Sequence, residues 1–124
     1  ERYEEDEPME YGDVVKIGGD KEITKTTENQ DPDVFGVVSQ NPAYKMNAGA
    51  GSDETHPYVA LTGRAPIKLV GPVKKGQYVV ASSEPGVAIA IDSRPENVYS
   101  VIGRSLQDNN DEGIKYVEIT VGKF

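Results

Sequence analysis

Apolar residues occur along this chain in short runs rich in Val, Ile and Tyr, each bounded by Gly, Pro, Asn or Asp. Runs of that length and composition predict β-strands rather than helices. Nine are read: Asp13 to Ile17, Glu22 to Thr26, Phe35 to Ser39, Tyr58 to Thr62, Ala65 to Val70, Gln77 to Ser82, Val87 to Ile91, Tyr99 to Leu106 and Lys115 to Val121. Alternation is clearest in the last, where Val117, Ile119 and Val121 share one face and Tyr116, Glu118 and Thr120 the other, as in a half-buried strand. Val79-Val80-Ala81 and Val87-Ala88-Ile89-Ala90-Ile91 are apolar on both faces, which places them inside a barrel or at a subunit contact. Gly18-Gly19-Asp20 predicts a tight hairpin, and Asp108 to Gly113 a longer polar turn.

A weak repeat runs through the strands. Gly12-Asp13-Val14-Val15 is followed by Phe35-Gly36-Val37-Val38-Ser39, and Gly76-Gln77-Tyr78-Val79-Val80 by Ile102-Gly103-Arg104-Ser105. One reading is two similar units in one barrel, each opened by a glycine turn and closed by a glycine that lets strands approach closely. The other is chance among valine-rich strands. From Gln40 to Pro57 periodicity stops, and Asn47 to Glu54 reads as a long small-residue surface loop. The expected architecture is all-β, a compact barrel or sandwich of short strands with little helix. Residues 12–124 form a single β-rich domain, preceded by an acidic lead-in or linker over residues 1–11.

Composition narrows the function. The chain has 124 residues, one domain's worth. It contains no cysteine and one histidine, His56, so thiolate chemistry, disulfides and zinc-thiolate sites are excluded and a histidine-based triad or metal cage has little material. Thirteen basic against twenty-one acidic side chains leave a net charge of -8, which argues against nucleic acid or an anionic membrane as partner. No apolar run approaches the roughly 20 residues that span a bilayer, so no membrane insertion is expected. The acidity is concentrated at the start, where six carboxylates among the first ten residues oppose only Arg2. A chain opening on Glu1 is expected to be a fragment or processed product of something longer.

Gly49-Ala50-Gly51-Ser52 lacks the following lysine and helix of a phosphate loop and reads as a flexible tip. Asp108-Asn109-Asn110-Asp111 spaces oxygens as a calcium loop does, but the twelfth position holds Ile119 where a bidentate glutamate belongs, so a hairpin turn is expected and no metal or other cofactor. His56 is assigned no role. Arg64 and Lys68 alternate with apolar residues as on a solvated face, and Pro66 marks an edge or bulge. Tyrosines can stack on sugar rings; Tyr44, Tyr58 and Arg64 are the candidate binding residues. The acidic start is the candidate for chemistry, because crowded carboxylates raise one another's pKa and can supply a general acid. A solvated, extended linker is the competing reading.

Several strings carry a resemblance. Glu1-Arg2-Tyr3, Gly12-Asp13-Val14-Val15, Phe35-Gly36-Val37-Val38-Ser39 with Asn41-Pro42, and Val59-Ala60-Leu61-Thr62-Gly63-Arg64-Ala65-Pro66-Ile67-Lys68 resemble the C-terminal domain of phage tail-fibre and neck-appendage proteins. Lys75-Gly76 to Ser82-Ser83, Pro85-Gly86 and Ile102-Gly103 continue the match over nearly the whole chain. The resemblance implies a β-rich module at the end of a trimeric fibre. It also implies kinship with a glutamic-type self-cleaving domain associated with an intramolecular chaperone. The expected function is therefore a structural, receptor-facing tip, non-catalytic in isolation. It would sit in the virion as a homotrimer, joined to an upstream fibre segment and facing a host surface glycan or protein. The alternative is a self-processing peptidase, for which Glu1, Glu4 and Glu5 are the candidate carboxylates.

Overall fold

The computed structural model describes residues 2–39 and 56–122, and every expected run within them is a strand. Strands β1 (Val14–Ile17), β2 (Ile23–Lys25), β3 (Val34–Ser39) and β4 (Tyr58–Ala60) form an antiparallel sheet in the order β2-β1-β3-β4. Strands β5 (Gly63–Val70), β6 (Tyr78–Ala81), β7 (Ala88–Ile91), β8 (Val101–Ser105) and β9 (Ile114–Val121) close into a barrel in the order β5-β7-β6-β8-β9. A 3-10 turn, Val98–Ser100, precedes β8. The protein is all-β, in two units of short strands paired antiparallel everywhere but at the barrel seam.

The barrel is built on the β5–β9 pair, which runs unbroken from Gly63↔Val121 to Val70↔Ile114. Its seam is far shorter: β5 meets β7 in parallel at one pair, Leu69↔Ala88. Before that seam the outer side of β5 is open to another partner, and the Lys68 N–H donates there to the Gly12 carbonyl at 3.0 Å. Two residues earlier on the same side lies Pro66, whose missing N–H falls on the open edge and removes no bond to β9.

Consecutive apolar residues on β1 and β3 are explained by a sheet buried on both faces. Val14, Val34 and Val37 pack with Ile67, Leu69, Val79, Val117 and Ile119 of the barrel. Val15, Ile23, Val38 and Val59 form a second core on the far face, covered by Tyr3, Met9 and Phe35. A bulge makes this possible: Val15 pairs with Gly36 and Lys16 with Val34, leaving Phe35 as the extra residue.

The repeat has a physical counterpart, with one correction. Gly12 and Gly76 both hold positive φ, +88° and +90°. Gly36 and Gly103 both face a neighbouring strand so closely that an added Cβ would lie 2.5 Å from the Ala60 carbonyl oxygen and 1.6 Å from that of Thr120. The two units do not share a barrel, however. The first belongs to the four-stranded sheet and the second to the closed barrel, because the β5–β9 pair completes the barrel without β1 to β4.

Candidate functional site

The acidic lead-in does not extend into solvent as a linker of that charge would; its described residues lie on the sheet. Arg2 bridges to Tyr58 on the β4 edge, and Glu5 bridges in parallel to Ile23 on the β2 edge. Between these points the Tyr3 N–H donates to the Pro57 carbonyl at 3.1 Å, and the N–H groups of Glu22 and Ile23 donate to the Glu4 carbonyl at 2.9 and 3.0 Å. The segment is thus a strap joining the two free edges across the second core. Its first residue is the anchor. Arg2 is 6% exposed, its Nε donates to the His56 carbonyl at 2.7 Å, and its guanidinium lies 4.8 Å from the Tyr58 ring centroid. Tyr3 meets Phe35 edge to face at 5.2 Å.

Where the strap returns to the barrel, its carboxylates meet lysines. Asp13, 1% exposed, pairs with Lys68 at 3.0 Å and with Lys25 at 4.0 Å, and accepts from the Glu10 N–H at 2.7 Å. Lys68 also pairs with Glu10. Desolvation is the largest single influence on Lys68 and opposes its charge, yet the hydrogen bonds to Glu10 and Asp13 together hold its pKa above the ordinary lysine value. The same contact holds Glu10 below the ordinary carboxylate value. Lys68, expected on a solvated face, is therefore the cation that ties β5 to the lead-in.

The two described candidate carboxylates have different partners. Glu4 lies 3.8 Å from Lys21, whereas Glu5 accepts from the Met9 N–H at 3.1 Å, and burial pushes its carboxyl pKa up. Glu7 pairs with Lys25 at 3.3 Å. One oxygen of Asp6 is buried without a hydrogen bond. Glu1 lies outside the described residues, as do Tyr44 and the Asn47 to Glu54 segment. Of the binding candidates, Tyr58 is 7% exposed beneath Arg2, while Arg64 stands exposed on β5 with its Nε 3.0 Å from Glu118. In the Asp108 to Gly113 turn, the side-chain oxygens of Asn109 and Asp111 accept from the N–H groups of Asp111 and Gly113 at 3.0 and 2.9 Å, so they fold the turn on itself. Among the described residues, no group of three or more ligating side chains is placed to hold a metal, and no helix is long and apolar enough to cross a membrane.

The fold is similar to that of two solved bacteriophage phi29 protein modules. The C-terminal fragment of bacteriophage phi29 gene product 12 matches with a TM-score of 0.64 at 16% identity, over 97% of this chain and 97% of that one. The N base of the phi29 head fiber gp8.5 matches with a TM-score of 0.57 at 14% identity, over 99% of this chain and 92% of that one. No protein-family model matches the chain, and no curated protein matches it in sequence.

Proposed function

We propose that this chain is a structural module of a phage tail fibre or neck appendage, non-catalytic in isolation, that works as a homotrimer at a receptor-facing position in the virion. The observation that carries this reading is end-to-end likeness: two solved bacteriophage phi29 modules, one of them from a head fiber, match over 97% and 99% of the chain. The engagement of Glu4 with Lys21 and of Glu5 with Met9 supports the non-catalytic part, since a carboxylate mechanism needs two carboxyl groups held around one bond.

Antibodies raised against the domain test the assignment. Immunogold electron microscopy should label the tail or neck appendages of particles made by the phage that encodes it. Intact particles without label, with the antigen confined to the surrounding lysate, would overturn the reading. Self-cleavage is checked separately. The purified chain, held for days between pH 4 and 8, should remain one species by mass spectrometry. A discrete shorter product, absent from Glu4→Gln and Glu5→Gln variants, would instead establish the peptidase.

A further inference from the structure

An amine and a carboxylate are held against each other where the strap returns to the barrel. Lys68 Nζ lies 3.0 Å from Asp13 Oδ1, with the two side chains 15% and 2% exposed. Backbone closes the site around them. A Cβ at Gly86 would lie 2.9 Å from Asp13 Oδ1, and one at Gly12 would lie 2.8 Å from the Tyr116 ring and 3.1 Å from the Lys68 backbone nitrogen. The two oxygens of Asp13 are used differently. Oδ1 faces the amine, whereas Oδ2 accepts the Glu10 N–H at 2.7 Å and lies 4.0 Å from Lys25 Nζ. Glu10 supplies a third group. Its carboxylate accepts from Lys68 Nζ, yet its side chain is 76% exposed, in a groove that Glu84, Pro85 and Tyr116 also line.

These are the parts that amide formation requires: a nucleophile, a carboxyl carbon, an oxygen whose developing charge meets a donor and a cation, and a base touching the nucleophile. A simple ion pair needs only two opposite charges. Groups fixed in contact react as if present at about 10⁵ M or more, and a buried site withholds the water that would reverse the condensation. We propose that Asp13 and Lys68 join through an isopeptide bond, with Glu10 as the acid–base group. The inference stands whether or not the chain serves a phage appendage.

The pair is charged at rest, so the ammonium first passes one proton across the contact to Asp13 Oδ1. The neutral amine then attacks Cγ. A C–N bond forms, and the carbonyl electron pair moves onto Oδ2, where the Glu10 N–H and Lys25 face it. Glu10 takes a proton from the nitrogen and returns it to the Oδ1 hydroxyl, the C–O bond breaks, and water leaves by the groove. One ammonium and one carboxylate thus become one amide and one water, and Glu10 ends as the carboxylate it was. The opening proton transfer is uphill, which makes the reaction slow. Until it occurs, the ion pair alone ties β5 to the lead-in.

Mass spectrometry of the intact chain tests it. Freshly purified protein should have the mass of its sequence, and days of warming just below its melting temperature should lower that mass by one water, about 18 Da. Trypsin should then release residues 3–16 joined to residues 65–74, uncut after Lys68. Lys68→Arg, which keeps the cation but has no amine to react, should fold by circular dichroism and keep its full mass, and Glu10→Gln should join more slowly. A warmed chain still at the sequence mass refutes the bond. So does a lost water that maps to residues 1–2, as cyclisation of Glu1 would give, or a product that hydroxylamine opens as it opens an aspartyl imide. Water loss that persists in Lys68→Arg refutes Lys68 as the amine, and undiminished joining in Glu10→Gln removes Glu10 from the reaction.

Discussion

A methyl group at Gly103 would sit 1.6 Å from the Thr120 carbonyl oxygen, backbone against backbone, where no side chain can swing aside. Gly103→Ala should therefore destabilise the protein by about 3 kcal/mol, in the range of forced overpacking, while Gly113→Ala, whose nearest neighbour is 3.5 Å away, should be close to neutral. Denaturant midpoints of the two variants decide this. Asp13 is a different kind of commitment, because Asp13→Ala strips the carboxylate from Lys68 and Lys25. The expected loss is about 3 kcal/mol, the lower end for a broken buried pair, since both lysines retain a second acid. Acidity also acts residue by residue, with opposite signs. The folded pKa of Glu10 is lowered, so its contribution is present above the unfolded value and is lost as pH falls through the folded one. The folded pKa of Glu5 is raised, so its charge is a liability at neutral pH that protonation relieves. Glu5→Gln should accordingly raise the melting temperature at pH 7, and the gain should shrink as pH is lowered through its raised folded pKa. Thermal melts from pH 3 to 8 give the sign directly.

At the scale of elements, the strap is the piece whose loss should be most selective. Removing residues 1–8 takes Tyr3 off the core of Val15, Ile23, Val38 and Val59 and strips the strap from both edges of the four-stranded sheet. Hydrogen exchange should then accelerate in β2 and β4 while β5 and β9, joined by their unbroken ladder, keep their protection. Equal acceleration everywhere would show that the strap is not a local cover. The strands themselves were legible, since a half-buried strand such as β9 writes its period into Val117, Ile119 and Val121, and glycines such as Gly36 and Gly103 mark close approaches. The strap was not. Its burial depends on Arg2, Tyr3 and Met9 scattered among carboxylates, it touches each edge through isolated bridges, and its partners at Ile23 and Tyr58 are remote in sequence. Lys68 was hidden for the same reason: alternation on β5 correctly turned it away from the barrel interior, but only the fold brings Asp13 and Glu10 to that face.

At the scale of the molecule, the principal core crosses the boundary between sheet and barrel, with Val14, Val34 and Val37 packed among barrel residues. Heating should therefore produce one transition, with calorimetric and van't Hoff enthalpies equal. Val37→Ala, a completely buried deletion at that junction, should shift the whole transition by about 2 kcal/mol rather than split it in two. Two resolved transitions would mean that the sheet and barrel fold as separate units.

The strap also sets a schedule for the growing chain. Residues 2–6 leave the ribosome before the strands they cover, and their contacts wait for Ile23 and then for Pro57 and Tyr58, more than fifty residues later. Until then an uncharged segment able to cover valines could seize the wrong strand or a neighbouring nascent chain. The crowded carboxylates that look like excess charge in the finished protein keep that segment hydrated and mutually repelled during the interval. They let a segment made ahead of its sheet dock only once both edges of that sheet are in place.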